Sequence, residues 1–260
     1  MRRRHTSAGA ELWHVASFQG GARLTWQGRR VLAVVPARGG SKGIPRKNLV
    51  RVGGRSLIAR VADVVRALPW IDRAVLSTDD EEMAEEGRAH GLEVPFSRPA
   101  DLASDLGTGV GVWTHAWRES ERLLGEYWDV SVYLQPTSPF RRPEDVERTF
   151  AALCTGDHHA AATVSRVPGH YTPEKTLRLS GEGLLSFVLP EGARHANRQS
   201  IPPCFTRNGV CYAVRRDTLL DHGWIVEHDC VGVVLDGPMV NIDDPLDLAF
   251  AELLLARGIV

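Results

Sequence analysis

Cysteine is sparse and scattered in this chain. The four residues, Cys154, Cys204, Cys211 and Cys230, include no C-x-x-C pair, and none of the ten histidines stands in an H-E-x-x-H pattern. The sequence therefore signals neither a disulfide framework nor a structural zinc site, and buried free thiols are the expectation. No stretch reaches the roughly 20 consecutive apolar residues that a membrane-crossing helix needs, and the amino terminus lacks the apolar core of a secretory signal. No membrane association is expected, and a cytoplasmic location follows. Basic charge is not in excess either: 31 basic side chains face 32 acidic ones. That balance argues against a nucleic-acid partner, whose phosphates are held by a basic face. Small molecules are the expected partners. What remains is 260 residues, 43% of them hydrophobic, enough for one sizeable core.

Lysine is scarce as well. Lys42, Lys47 and Lys175 are the only three, against 28 arginines. Two of them lie five positions apart in one glycine-rich loop. A compact ammonium kept twice there, in a chain that otherwise uses guanidinium, points to point-charge contact with phosphate oxygens.

Residues 1–30 carry six arginines and one acid, whereas residues 31–260 carry 25 basic and 31 acidic side chains. The first segment reads as an appended basic extension without fixed structure; a contact arm, a targeting segment and translated upstream sequence are the open alternatives. From Val31 the pattern changes. Val31-Leu32-Ala33-Val34-Val35 reads as a buried strand, followed by a loop through Asn48 and an apolar-periodic helix from about Ser56 to Leu68. Strand at 74–78, helix at 79–89, short strand near Val94, helix at 109–124, strand at 130–135 and a helix opened by Pro143 continue the alternation. Strands at 209–214 and 231–235, a short one ending at Asp243, and a helix at 245–257 close it. Such alternation predicts an α/β domain over 31–260, Rossmann-like and doubly wound, with a mostly parallel sheet. Between about Val164 and Phe205 nine prolines and glycines break the rhythm. This β excursion is too long for a simple connection, so it covers the ligand or reaches a second subunit.

Three segments carry chemistry. Pro36-Ala37-Arg38-Gly39-Gly40-Ser41-Lys42-Gly43-Ile44-Pro45-Arg46-Lys47-Asn48 stands at the carboxyl end of the first strand, where open α/β sheets bind ligands. Its glycines let backbone N–H groups approach an anion, and Arg38, Lys42, Arg46 and Lys47 supply charge for a triphosphate. The spacing fits neither G-x-x-x-x-G-K-[ST] nor G-x-G-x-x-G, which disfavours P-loop ATPases and dinucleotide enzymes. Leu134-Gln135-Pro136-Thr137-Ser138-Pro139-Phe140-Arg141 is a polar loop stiffened by two prolines after a buried strand. In Val240-Asn241-Ile242-Asp243-Asp244-Pro245, period-two geometry puts Asn241 and Asp243 on one face, with Asp244 opening the last helix. Oxygen donors of this kind suit magnesium shared with phosphates, or a helix cap.

Together these segments resemble the acylneuraminate-type cytidylyltransferases, which activate sialic and related nonulosonic acids as CMP-sugars. The resemblance spans about residues 31–257. It rests on the P-A-R-x-G-S-K-G-[IL]-P-x-K-N loop, S-T-D at 77–79, R-P-A-[DE]-L-A-S-D at 98–105, L-Q-P-T-S-P, N-G-x-x-Y at 208–212 and I-D-x-x-x-D-L at 242–248. It implies transfer of CMP from CTP to an acidic acceptor with release of pyrophosphate, Mg²⁺ as cofactor, and a homodimer built partly by the excursion. Residue by residue, Arg38 and Lys47 match triphosphate contacts, with Lys47 placed to stabilise the α-phosphate. Ala37, Gly39, Ser41, Lys42, Asn48, Arg98 and Gly107 complete the nucleotide site. Gln135, Lys175, Arg198 and Tyr212 match positions facing the sugar acid. Asp243 matches a metal ligand, so that Arg38, Lys47, Gln135 and Asp243 form the catalytic set.

Three departures from the family pattern stand out. Asn241 replaces a second metal-binding aspartate. Asp105-Leu106-Gly107-Thr108-Gly109 lacks the usual serine beside the base, a contact that only Thr108 is placed to supply. The residues around Trp224-Ile225-Val226 differ from the family's aromatic acceptor wall. The acceptor therefore stays open between a nonulosonic acid and a small phosphonate, and a nucleotide-binding homologue without turnover is a further alternative.

Overall fold

The computed structural model describes residues 28–194, 201–238 and 240–260, and the backbone of residues 13–18 and 21–26. Within the basic extension, expected to lack fixed structure, the chain instead forms an antiparallel hairpin, β1 (Trp13–Phe18) with β2 (Gly21–Trp26), which among the described residues pairs with no strand of the central sheet.

The domain then alternates as β3 (Val31–Pro36), the small hairpin β4 (Arg51–Val52) and β5 (Arg55–Ser56), α1 (Leu57–Arg66), β6 (Arg73–Ser77) and α2 (Glu81–Ala89). It continues through α3 (Ala100–Ala103), α4 (Gly109–Leu124), β7 (Val130–Tyr133), α5 (Pro143–Thr155) and β8 (Ala160–Arg166). The hairpin β9 (Leu177–Leu179) and β10 (Leu185–Phe187), β11 (Phe205–Arg215), α6 (Arg216–Leu220), β12 (Cys230–Val234) and α7 (Pro245–Ala256) follow. Six strands form the central sheet in the order β12-β8-β11-β7-β3-β6. β11 runs antiparallel to both its neighbours and every other adjacent pair is parallel.

The reason for burial on both faces is visible in β3. Val31, Ala33 and Val35 join an apolar cluster with Ile58 of α1, Met83 of α2 and Phe150 of α5. Leu32 and Val34 point the other way, to Trp113 and Trp117 of α4 and Leu219 of α6. A strand covered by helices on both sides must be apolar throughout, which is how this run reads. Side chains fix the helix starts: Ser56 accepts from the Ala59 amide at 3.0 Å, Asp80 from Met83 at 3.0 Å, and Thr108 from Gly111 at 3.0 Å.

Some elements differ from expectation. The stretch near Val94 makes only one parallel bridge, Val75 with Glu93, because Pro95 follows and cannot donate to a ladder. The segment before Asp243 forms no strand; Ile242 donates a single 2.8 Å bond to the Thr137 carbonyl. Ile242 is nevertheless buried while Asn241 and Asp243 are exposed, so the alternation survives without a ladder. β8 was not separable in the sequence because its alanine run lacks strand-forming side chains; it is held by neighbours on both edges.

From β3 the chain crosses to β6 on one side and returns to β7 on the other. The strand order reverses there, and the carboxyl ends of β3 and β7 flank the crevice where such sheets take ligands.

Candidate active site

A cavity of about 470 Å³ opens at that reversal. The loop after β3 supplies Arg38, Ser41, Lys42, Gly43, Lys47 and Asn48 to its wall, and the loop before α4 supplies Arg98, Asp105 and Gly107. Gln135 and Thr137 come from the loop after β7, and Asn241 and Asp243 from the segment before α7.

The first loop is folded by its own polar groups. The Ala37 amide donates to the Ser77 carbonyl at 2.9 Å, and the Gly39 amide to Asp79 Oδ1 at 2.9 Å. Asn48 is buried and its amide reaches the Arg38 carbonyl at 3.2 Å, so this side chain braces the loop's two ends. Gly43 carries a specific requirement: a Cβ there would lie 2.1 Å from the Asp243 carbonyl oxygen. Only glycine lets these two segments touch.

Of the four cations in that loop, three line the cavity. Lys47 Nζ is 2.7 Å from Asp243 Oδ1. Arg38 and Lys42 share the Asp105 carboxylate, at 3.0 and 2.6 Å. Hydrogen bonds from Lys42 and then Arg38 hold that carboxyl below its ordinary range. Arg46 is turned outward onto Asp80, at 2.8 Å, and Glu82. It does not line the cavity, because α2 presents it with acids from outside.

Arg98, also in the cavity wall, is buried, donating from Nε to Ser77 Oγ at 3.1 Å and from its terminal nitrogen to the Ser77 carbonyl. No carboxylate pairs with it among the described residues, and burial lowers its pKa. Beside it, Tyr133 stacks on Trp113 with centroids 4.9 Å apart, and burial pushes its phenol upward. A Cβ at Gly107 would meet the Leu102 carbonyl at 2.5 Å, so glycine is needed for this turn. Thr108 caps α4 and is not part of the cavity wall.

The metal-ligating potential is narrow. Asp243 Oδ1 faces Lys47 and Oδ2 accepts from the Asn241 amide. Asp244 is engaged in capping α7, accepting from Leu246 and Asp247 amides at 2.8 and 3.0 Å. Among the described residues no three His, Cys, Asp or Glu side chains converge on one point. One carboxylate and one amide oxygen fit a magnesium ion that takes its other ligands from phosphate and water, and do not fit an all-protein cage.

The remaining positions matched by resemblance are spread out. Gln135 lines the cavity. Tyr212 lies in β11 opposite Tyr133 and packs into the core, outside the cavity wall. Lys175 closes a short turn in the excursion, also outside that wall. Arg198 lies outside the described residues. Sequence reading gave no role to Asp105 or to Ser77, although both stand inside motifs it quoted; the contacts that reveal them join segments far apart in the chain.

A family model described as cytidylyltransferase matches residues 32–174. The chain belongs to the cytidylyltransferase family. The matched stretch holds the cationic loop, Arg98, Asp105 and Gln135, while Asp243 lies beyond it. Among curated cytidylyltransferase relatives, CMP-N,N'-diacetyllegionaminic acid synthase of Legionella pneumophila is 28% identical over 233 residues, covering 87% of this chain and 96% of that protein. Pseudaminic acid cytidylyltransferase of Campylobacter jejuni is 25% identical over 224 residues, with coverages of 86% and 95%. Post-translational flagellin modification protein B of Campylobacter coli is 28% identical over 226 residues, with coverages of 86% and 94%. The structure of CMP:2-keto-3-deoxy-manno-octonic acid synthetase complexed with CTP shares the fold, with a TM-score of 0.65 at 19% identity over 88% of this chain and 99% of that one.

Proposed function

We propose that this cytidylyltransferase moves CMP from CTP to a nonulosonic sugar acid and releases pyrophosphate. The observation that carries the reading is the lining of one cavity. Arg38, Lys42 and Lys47 of the loop after β3 share its wall with the buried Arg98 and Tyr133 and with Gln135 of the loop after β7. Three cations suit a triphosphate. A buried arginine without a carboxylate partner suits the polar edge of a base.

In the reaction, the acceptor's anomeric oxygen forms a bond to the α-phosphorus of CTP, and the bond from that phosphorus to the bridging oxygen of pyrophosphate breaks. The hydroxyl proton leaves to solvent or to a carboxylate. Lys47 holds negative charge that builds on the α-phosphoryl oxygens, and Arg38 and Lys42 hold charge that collects on the leaving pyrophosphate. Positioning and charge account for most of what the protein must supply. Mg²⁺, held by Asp243 with the Asn241 amide oxygen, would neutralise phosphate charge when bound.

The acceptor class is supported by the names of the relatives, which act on legionaminic and pseudaminic acids; a phosphonate acceptor finds no such support. An association into homodimers is supported by the β9–β10 hairpin, where Leu179 and Leu185 are 65% and 66% exposed and Leu177 and Phe187 stand beside them in solvent. No helix among the described residues is long and apolar enough to cross a membrane. The cytoplasmic location is proposed on the separate ground that the reaction draws on CTP.

The test is an acceptor panel of sugar acids and phosphonates with CTP and Mg²⁺, read as pyrophosphate release and as the mass of each CMP adduct. A CMP-nonulosonate is expected. A product formed only with a phosphonate, or none with any acceptor, would overturn the reading.

A further inference from the structure

Arg141 ends the polar loop after β7, yet it does not line the cavity. It is 6% exposed. All three of its hydrogen bonds go to main-chain carbonyls: Nε to Val210, and one terminal nitrogen to Gln135 at 2.6 Å and to Gly209 at 3.2 Å. It forms no ion pair among the described residues, so this buried cation is not explained by a carboxylate partner.

The sheet explains where those carbonyls come from. β11 pairs with β7 from Arg215 back to Tyr212, opposite Tyr133, and the pairing stops there. On its other edge, the register with β8 shifts between Arg207 and Tyr212. The carbonyls of Gly209 and Val210, and that of Gln135 just past β7, therefore lie where the ladder has come apart. Buried carbonyls without partners are costly, and the fork of N–H donors on one guanidinium satisfies three of them at once. A lysine ammonium has the charge without the planar fork.

The same junction sets the place of Gln135. Gly209 has φ +72°, and a Cβ there would lie 2.4 Å from Gln135 Oε1, so the glutamine amide rests directly on this glycine. Ser138 Oγ donates to the Asn208 carbonyl at 3.1 Å. Asn208 in turn is fixed to β8, accepting from Thr163 Oγ1 at 2.6 Å and donating to Ser165 Oγ at 3.0 Å. The N-G-x-x-Y motif thus acts as a support: Asn208 anchors, Gly209 makes room, and Tyr212 restarts the ladder. Burial lowers the Arg141 pKa to about 10. A group depressed in this way binds its proton less tightly folded than unfolded, so its burial opposes folding at neutral pH. Its retention calls for a return elsewhere.

We infer that Arg141 is a positioning residue for the acceptor, clamping the Gln135 loop to the bulge of β11 so that the Gln135 amide meets the sugar acid in a fixed place. The inference rests on the cytidylyltransferase reading above and adds a residue that touches neither substrate. It predicts a split between substrates, since the cationic loop and Arg98 are held by other contacts.

The test is Arg141→Lys, assayed by KM for each substrate, CTP affinity and melting temperature. Acceptor KM is expected to rise about tenfold, the scale of a small misplacement, with KM and Kd for CTP within about twofold of the parent. Equal changes for both substrates, or a lowered melting temperature with both KM values unchanged, would overturn the inference. Should Arg141→Lys not fold, Ser138→Ala removes a milder contact at the same junction, and about a threefold rise in acceptor KM alone is expected; no rise would overturn it. If the parent turns over no acceptor, it is the proposed function that fails. Crystal structures of parent and variant then decide on Arg141: a displaced Gln135 amide supports the clamp and an unmoved one rejects it.

Discussion

Lys47 and Asp243 stand 196 positions apart in sequence and meet at 2.7 Å between Nζ and Oδ1. The pair joins the loop after β3 to the segment before α7 in the cavity wall. The Lys47 side chain is only 16% exposed, so its position is set before CTP arrives. A cation held in advance stabilises developing charge without reorganisation. Lys47→Ala is therefore expected to lower kcat about 100-fold or more, with a smaller rise in KM for CTP. Lys47→Arg should not restore the rate, because a planar fork cannot replace a point charge in that space. Steady-state pyrophosphate release measures both; a loss below about fivefold in Lys47→Ala would remove this residue from the chemistry.

Asp105 presents the opposite case, a carboxylate lying where phosphate is expected. It bridges Arg38 and Lys42, and both cations must leave it to hold a triphosphate. Asp105→Asn is expected to tighten CTP binding by a few-fold, the modest scale of exposed ion pairs. The gain should shrink as salt rises. The two cations keep the carboxyl below its usual range, so it stays charged at every pH above that range, and the difference between parent and variant should be flat from pH 6 to 9. Calorimetric titration with CTP checks both trends, and weaker binding in the variant would show that Asp105 helps to hold the nucleotide.

The contact of Gly43 with Asp243 yields a third expectation. A methyl group placed 2.1 Å from the Asp243 carbonyl oxygen must move main chain, since no flexible side chain stands there to yield. Gly43→Ala should displace the Lys47 side of the cavity from Asp243 and reduce turnover by about tenfold or more. Both segments are loops outside the central sheet, so circular dichroism should be unchanged. Full activity in this variant would mean that the contact is not kept during catalysis.

How much of this was legible in the sequence depended on whether a residue acts locally. The β3 run shows itself because a strand buried on both faces is apolar at every position, and Ser56 and Pro143 mark helix starts through their own backbone neighbours; the acid read as opening α2 was Asp79, one residue before the cap, Asp80. The cationic loop was readable from its glycines and its two lysines. Arg46 was counted with that loop and turns out to face Asp80 and Glu82, because the acids that draw it outward sit on α2, more than 30 residues away. β8 was missed since its alanines carry no strand signature of their own. Asn241 and Asp243 were placed on one face by a strand that does not form, yet the buried Ile242 between them keeps the alternation. Tyr212 lies in the core beside Tyr133, a relationship fixed by the register of β11, which no local pattern encodes.

The cysteines allow a last expectation. Cys230 sits in edge strand β12, and burial, reinforced by the charges of Asp229 and Glu227, pushes its thiol up to about 11. Cys211 is fully enclosed and pushed to about 12. Thiolate is the reactive form, so at pH 8 only about one Cys230 in a thousand is poised to react at any moment. Iodoacetamide at that pH should modify the partly exposed Cys204 first, leave Cys230 nearly untouched, and reach Cys211 and Cys154 only on unfolding. Raising the pH towards 10 should bring Cys230 into reaction, and Asp229→Asn should bring it in at a slightly lower pH, because one of the charges opposing the thiolate is gone. Peptide mass mapping across pH reads all of this. No cysteine lines the cavity, so alkylation at pH 8 should leave turnover unchanged; a loss in step with Cys204 labelling would place that loop closer to the substrates than the cavity wall implies.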